Sequence, residues 1–230
     1  MGKLWFSLIL VITVFSMNAT AGDSYLQEVF SKPDKRWMVR LRAVYLQMDQ
    51  KSDPIPTLGV PRDAIEIRDI FIPELDISFF FTRHIAVELV LTYPQKQELH
   101  FHNSAIGAFK SGSFKHLPPT LMLQYHFMPD SWFRPYIGGG VNYTFFFDEK
   151  IVVPGVTGLR LETGSLGGAL QFGFDVQLNK ICSCIPDDLF LNADLKKVFI
   201  DSKVKNSAGV TISHLNPDPL VIGVGLGYRF

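Results

Sequence analysis

Apolar and polar residues alternate strictly over long stretches of this chain, which limits these stretches to β-strands. From residue 220 to 230 every even position is apolar, while the odd positions from 223 onward carry glycine or arginine. A period of two places successive side chains on opposite faces of a β-strand. Eight segments follow this pattern and are predicted to be strands: residues 36–47, 73–82, 85–93, 118–128, 135–146, 165–178, 189–200 and 219–230.

The two faces of these strands differ sharply in chemistry. One face is almost entirely large and apolar, whereas the other carries Arg, Asp, Glu, Gln, Asn, Lys and glycine. Eight strands can close a soluble, lipocalin-type barrel, but the narrow lumen of such a barrel has no room for so many bulky side chains. We therefore expect an all-β, eight-stranded antiparallel transmembrane barrel whose apolar face contacts lipid. The formal net charge of zero argues against a nucleic-acid-binding protein.

The N-terminal residues have the pattern of a secretory signal peptide. Lys3 precedes the apolar stretch 4–17, and Ala19-Thr20-Ala21 supplies a small-residue cleavage site. The stretch is shorter than the roughly 20 residues that a membrane-spanning helix needs. We expect residues 1–21 to be removed and residues 22–230 to form one barrel domain; a retained N-terminal anchor is the alternative.

The connections between the predicted strands alternate between long and short. The long ones are residues 48–72, 94–117, 147–164 and 201–218, as expected of extracellular loops, and the short ones are typical of periplasmic turns. Both termini are then periplasmic. Aromatic residues fall at both strand ends, as in the girdles of outer-membrane barrels. The predicted periplasmic girdle is Trp37, Phe81, Phe127, Tyr228 and Phe230, and the outer one is Tyr45, Tyr93, Tyr143 and Phe145.

Several motifs resemble those of the outer membrane protein W (OmpW) family. Leu117–Met122 is similar to the LPPT segment of that family, and residues 133–147 and the Gly-Tyr-Arg-Phe ending at 227–230 agree in order and approximate spacing. The first loop, the third loop and the Cys182-Ser183-Cys184 turn depart from the family pattern. The resemblance implies a narrow, partly hydrophobic channel that opens outside and is closed towards the periplasm. Family members, including an alkane-uptake porin, are associated with passive uptake of small hydrophobic molecules and their lateral release into the bilayer.

This interpretation assigns roles to the inward residues. Charges in the lower lumen are expected to pair and plug it, because burying them unpaired is costly. The lumen plug consists of Arg40, Arg42, Asp76, Glu88, Asp175 and Arg229. Inward residues expected to line the channel are Phe80, Val90, Thr120, Met122 and Gln124. Pro118 and Pro119 have no amide proton, so they are predicted to weaken strand pairing and form a lateral opening. The alternative is that they merely end a loop.

The expected partners are outer-membrane lipid and lipopolysaccharide, small hydrophobic ligands, and the barrel assembly machinery through Phe230. No cofactor, metal site or enzymatic activity is expected. Ser113, His116 and Asp148 supply the residue types of a catalytic triad without a motif, and His100 and His102 are interpreted as an exposed pair rather than metal ligands. A structural or adhesive barrel, acting as a surface receptor without transport, is the alternative function.

Cys182 and Cys184 fall in a predicted periplasmic turn, where a disulfide is permitted. Their spacing makes a mutual bridge difficult. A mutual bridge, pairing with another chain and a free state are therefore all left open, as is the oligomeric state.

Overall fold

Eight β-strands of this chain close into an antiparallel barrel. The computed structural model describes residues 27, 29–48, 51–52, 65–67, 69–101, 109–151, 160–161, 163–205, 211–216 and 218–230. The predicted signal peptide, residues 1–21, lies outside this part of the chain. The strands are β1 (Trp37–Gln47), β2 (Lys51–Ser52), β3 (Ile65–Ile67), β4 (Ile70–Phe80), β5 (Ile85–Thr92), β6 (Gln95–Phe101), β7 (Phe109–Leu117), β8 (Thr120–His126), β9 (Phe133–Ile151), β10 (Arg160–Leu161), β11 (Gly164–Gln177), β12 (Leu189–Val198), β13 (Ser202–Lys205), β14 (Thr211–Asn216) and β15 (Leu220–Arg229). No helix among the described residues has the length and apolar character to span a membrane.

The barrel wall runs β1-β4-β5-β8-β9-β11-β12-β15 and returns to β1. The closing pair is β1 with β15, whose register runs from Met38–Arg229 to Gln47–Leu220. Below it, the Trp37 N–H donates to the Phe230 carbonyl at 2.9 Å and the Phe230 N–H donates to the Trp37 carbonyl at 2.8 Å. The C-terminal residue is thus part of the closed wall.

The predicted eight-stranded barrel is confirmed, and each predicted segment corresponds to one barrel strand. The long connections contain further strands that the alternation does not predict: β2, β3, β6, β7, β10, β13 and β14. β7 pairs with the outer part of β9, and β6 and β3 add to it in turn. Both faces of a strand beyond the membrane can meet water, so such strands lack the apolar alternation that marks the wall.

The alternation in β12 weakens at Lys197, and from the sequence this change predicts either a bulge or the barrel rim. The pairing of β12 with both neighbours is regular through this position, so there is no bulge. Lys196 is buried inside, Lys197 faces outward, and Val198 is buried inside again. The chemistry of the lumen changes from charged to apolar at this height, and β12 ends at Val198.

The outward face is apolar over the whole wall. Leu41, Leu123 and Leu170, on three different strands, have 64%, 57% and 59% of their surface exposed. At the periplasmic end Trp37 packs on Phe79 with ring centroids 4.8 Å apart, and Tyr228 packs near Phe230 at 6.2 Å. Further outward-facing aromatic pairs at the outer end are Tyr45–Phe71 and Tyr143–Phe145. Exposed apolar surface of this extent requires lipid rather than water around it.

Replacing Leu123 with Arg tests this assignment of the outer face. Leu123 lies at the centre of β8 and points outward, so a charge there should lower the free energy of unfolding by about 2–4 kcal/mol. Gln47→Arg, at the outer end of β1, should cost about 0–1 kcal/mol. The measurement is denaturant unfolding in lipid vesicles. Equal effects of the two changes would show that Leu123 does not lie at mid-membrane depth.

Candidate functional site in the barrel lumen

Arg40 lies on β1 inside the barrel and holds carboxylates from two other strands. Its Nε and Nη2 donate to the two oxygens of Asp175 on β11 at 3.1 and 2.8 Å. Its Nη1 donates to Glu88 Oε2 on β5 at 2.8 Å and to Ser78 Oγ on β4 at 2.6 Å. All four residues are buried. A guanidinium that meets a carboxylate through two parallel hydrogen bonds makes a strong and directional contact. Arg40 therefore links β1 to three other strands, β4, β5 and β11.

Arg42, two residues further along β1, forms a second group. Its Nη2 lies 2.8 Å from Glu74 Oε1 and also forms an ion pair with Asp76, both on β4. Its Nη1 lies 2.7 Å from Asp194 Oδ2 on β12 and donates to Asn192 Oδ1 at 3.1 Å. The carboxylates of β4 and β12 therefore meet at one guanidinium.

Lys196 adds a second cation to the Arg42 group, and Gln171 joins that group to the Arg40 group. Lys196 Nζ lies 2.7 Å from Glu74 Oε1 and 3.4 Å from Asp194 Oδ2. Gln171 Nε2 donates to Glu88 Oε1 at 3.0 Å and to Asp194 Oδ2 at 2.8 Å. The result is one continuous lumen network, whose charged members are Arg40, Arg42, Lys196, Glu74, Asp76, Glu88, Asp175 and Asp194.

The network contains three charged members that the predicted plug does not include: Glu74, Asp194 and Lys196. Glu74 lies two residues from Asp76 of the predicted plug. Asp194 and Lys196 share the inward face of β12, so the period of two was the signal that could have found all three. The charged members are all at most 6% exposed. In the described part of the lumen they pack against one another and leave little surface open to water.

An apolar cluster lies below the network, at the periplasmic end. It consists of Met38, Phe80, Ala86 and Phe190, each at most 2% exposed. Arg229 was expected in the plug, but it makes no ion pair among the described residues: its guanidinium lies 4.0 Å from the centroid of the Phe80 ring, and its Nε donates to the Lys35 carbonyl at 3.1 Å. Arg229 is the last residue of β15, and its side chain packs on the apolar cluster at the periplasmic end.

The upper lumen differs in character from one wall to the other. Inward residues of β1, β4, β12 and β15, and of the segment after β12, are apolar and buried: Val44, Leu46, Ile72, Val198, Ile200 and Val221. On the opposite side apolar residues, such as Val90 and Met122, alternate with polar ones that are bonded to one another. Asn142 Nδ2 donates to Thr120 Oγ1 at 2.8 Å, and Thr144 Oγ1 donates to Asn142 Oδ1 at 2.7 Å.

The ladder that joins β5 to β8 does not run on directly into the ladder that joins β6 to β7. The last pair of β5 with β8 is Val90–Thr120, and the first pair of β6 with β7 is Gln95–His116. Residues 91–94 and 117–119 lie between these two pairs, are all described, and form no ladder pair with each other. We refer to these two stretches together as the seam gap.

Prolines occupy both sides of the seam gap. Pro94 on one side and Pro118 and Pro119 on the other have no N–H to donate. Pro118 and Pro119 are held from the β9 side, where the Tyr143 N–H donates to the Pro119 carbonyl at 3.1 Å. The interruption thus lies on the β5 side of the two prolines.

The residues predicted to line the channel occupy different levels. Val90, Thr120 and Met122 are buried just inside the lower end of the seam gap. Gln124 lies lower and donates to Gln171 Oε1 at 2.9 Å, so it belongs with the lumen network. Phe80 lies lower still, in the apolar cluster, with its ring centroid 5.0 Å from that of His126.

Two other sequence predictions fall partly outside the described residues. The side chains of Ser113 and Asp148 are not among those described, so the expectation that they form no catalytic triad with His116 stays a prediction. The side chains of His100 and His102 are likewise outside the described part. Within that part, no group of three or more His, Cys, Asp or Glu residues has the geometry of a metal site.

The periplasmic turn after β11 contains a disulfide. Cys182 and Cys184 are bonded to each other with their Cα atoms 5.4 Å apart. Of the states that the sequence left open, the structure has the mutual bridge.

Comparison with known proteins decides the family. The model of the OmpW family matches residues 37–230. The chain belongs to the OmpW family. An uncharacterized outer-membrane protein, y4mB, of Sinorhizobium fredii is 36% identical over 199 residues, which cover 84% of this chain and 80% of that protein. Outer membrane protein W of Vibrio cholerae is 34% identical over 164 residues, which cover 68% of this chain and 72% of that protein.

Among solved structures, the crystal structure of OprG from Pseudomonas aeruginosa is similar, with a TM-score of 0.71 and 26% identity over 88% of this chain and 99% of that one. Membership of the OmpW family and the barrel fold place the protein in the bacterial outer membrane. The end of the barrel with the long connections is therefore extracellular, and the turns 81–84, 127–132 and 178–188 are periplasmic.

Arg42→Met tests whether the lumen network holds the barrel together. The change leaves Glu74, Asp76 and Asp194 without their shared cation, and removing one partner of a buried ion pair costs about 3–5 kcal/mol. Lys197→Met, on the outward face of β12, is the matched control and should cost much less. The measurement is the urea dependence of unfolding in detergent micelles. If both variants unfold at the same urea concentration, the network does not carry the stability assigned to it.

Proposed function

We propose that this barrel admits small apolar molecules at its extracellular mouth and releases them sideways through the seam gap into the outer membrane. The seam gap above a filled lumen is the observation that carries the proposal. A solute that reaches the upper lumen meets the lumen network below it, where an apolar molecule would have to break buried ion pairs to pass. The seam gap offers an exit that breaks no ladder hydrogen bond.

The upper lumen suits an apolar solute better than a hydrated one. Val44, Leu46 and Val221 face the lumen from one wall, and Val90 and Met122 from the other. An apolar solute that displaces such side chains leaves no polar group unpaired, whereas an ion there would lose its hydration without replacement. Met122 also has an unbranched, flexible side chain that can adapt to solutes of different shape.

The proposed route carries apolar molecules past the lipopolysaccharide layer, which slows their diffusion into the outer membrane. The charged sugar and phosphate layer of lipopolysaccharide hinders apolar molecules from entering the bilayer from outside. A barrel that carries them past this layer and opens between its own strands delivers them directly into the hydrocarbon region. Lipid and lipopolysaccharide around the wall are part of this proposal, as are small hydrophobic ligands.

Replacing both Pro118 and Pro119 with Val tests the exit. The new N–H at 118 can extend the ladder across the seam gap, whereas the one at 119 points towards β9, as the Pro119 carbonyl does. One added hydrogen bond of about 1 kcal/mol should slow release about fivefold. The measurement is the initial rate at which N-phenylnaphthylamine enters cells that express the barrel, followed by its fluorescence in lipid.

Pro73→Val is the matched control, because Pro73 faces lipid on β4 and pairs with Ala43 outside the seam gap. Its uptake should equal that of the unmodified barrel. If the double variant is folded and takes up N-phenylnaphthylamine as fast as the unmodified barrel does, the seam gap is ruled out as the exit. Equal uptake by cells with and without the barrel would remove the transport proposal and favour a structural or adhesive barrel.

A further inference from the structure

The disulfide of the periplasmic turn joins two residues that are separated only by Ser183. Cys182 and Cys184 are both exposed, as are Lys180 and Ile181 beside them. A cross-link stabilises a fold mainly by restricting the unfolded chain, and this effect grows with the length of the loop that it closes. A bridge over one residue closes almost no loop, so it contributes little to the stability of the barrel.

Other contacts hold the turn in place. The Cys182 N–H donates to the Leu178 carbonyl at 3.0 Å, and the Ile185 N–H donates to the Cys182 carbonyl at 3.1 Å. Gln177 Nε2 donates to the Asp187 carbonyl at 2.8 Å and so links the two ends of the turn. None of these bonds needs the sulfur atoms, so the turn can keep its shape when the disulfide is open.

The position of the disulfide favours a reactive role over a structural one. It lies on the periplasmic side of the barrel, in an oxidising compartment. Because both cysteines are exposed, a thiolate from another molecule can approach them. Exposed disulfides are more easily reduced than those buried in a fold and are the labile or catalytic ones. A thiol exchange site needs a bridge that is accessible to another thiolate and dispensable for folding.

We propose that Cys182-Ser183-Cys184 is a site of thiol–disulfide exchange with a dithiol protein of the periplasm. A thiolate of the partner attacks one sulfur of the disulfide; a new S–S bond forms to the partner, and the other cysteine leaves as a thiolate and takes up a proton. The partner's second thiolate then attacks the mixed disulfide. The partner ends as a disulfide, oxidised by two electrons, and Cys182 and Cys184 end as two thiols carrying the two protons that the partner lost.

The equilibrium with glutathione measures how easily this disulfide opens. The full-length barrel, in detergent micelles, is incubated in buffers of different ratios of reduced to oxidised glutathione, and free thiols are counted by maleimide labelling and mass spectrometry. We expect an equilibrium constant for reduction about 1000-fold larger than that of a structural disulfide of a secreted protein. Equimolar reduced thioredoxin, a dithiol protein, should also reduce it. A disulfide that stays closed over the whole range of glutathione buffers overturns the proposal.

Single variants show whether the reaction follows the proposed steps. In Cys182→Ser and Cys184→Ser one thiol remains, so a mixed disulfide with glutathione should accumulate, because no second cysteine is present to displace it. In the unmodified barrel this adduct should be rare. Accumulation of the adduct to the same extent in all three proteins would contradict exchange between Cys182 and Cys184.

Folding measurements separate an exchange site from a structural disulfide. For an exchange site, reduction of the disulfide or replacement of both cysteines with Ser should leave two properties of the folded barrel unchanged: its heat-dependent gel mobility and its urea midpoint. Unfolding on reduction would make the disulfide a structural element and overturn the proposal. Uptake of N-phenylnaphthylamine is not involved in this test, so its outcome is independent of the proposed transport.

Discussion

Arg40 and Arg42 face into a barrel of only eight strands, and the partners of their charges have to come from the wall itself. Removing a guanidinium from water costs several kcal/mol even after the surroundings relax. Here Asp175, Glu88 and Asp194 approach from strands far apart in sequence and supply the compensating contacts. A shift of one residue in the pairing of any of these strands would turn its carboxylates towards lipid. The ion pairs and the lipid-facing side chains therefore specify the same register.

The crowding of the lumen explains the glycines of the last strand. A Cβ atom at Gly223 would lie 2.5 Å from Asp194 Oδ1 and 3.1 Å from Val44 Cγ1. Such contacts are too close, so a side chain at this position would push Asp194 away from Arg42. Glycine on β15 thus leaves room for the charged side chains of the neighbouring strands β1 and β12. Together these side chains fill the lower lumen. A filled lower lumen in turn leaves the side of the barrel as the available exit.

The wall could be predicted from the sequence because it separates two different environments. Leu121 and Leu123 face lipid while Thr120 and Met122 face the lumen, and this contrast produces a regular period of two. The strands beyond the membrane lack such a contrast, so β7 was interpreted as a loop. The ion pairs could be anticipated only as a set: Arg40 and Asp175 are 135 residues apart, and which carboxylate meets which cation depends on the register of strands that are distant in the chain. Pro118 and Pro119 predict weakened strand pairing in the sequence. The extent of the seam gap could not be predicted, because it depends on where the β5–β8 and β6–β7 ladders end.

Lateral exit requires apolar molecules to leave the barrel above the lumen network and through the wall. Crystals of the barrel grown with a long-chain bromoalkane show the path, because anomalous scattering locates the bromine atom. Lateral exit predicts bromine in the upper lumen above Met122 and in the seam gap between Leu91 and Leu117. Bromine below the lumen network, beside Phe80 and Phe190, would show a passage through the barrel from end to end and contradict it.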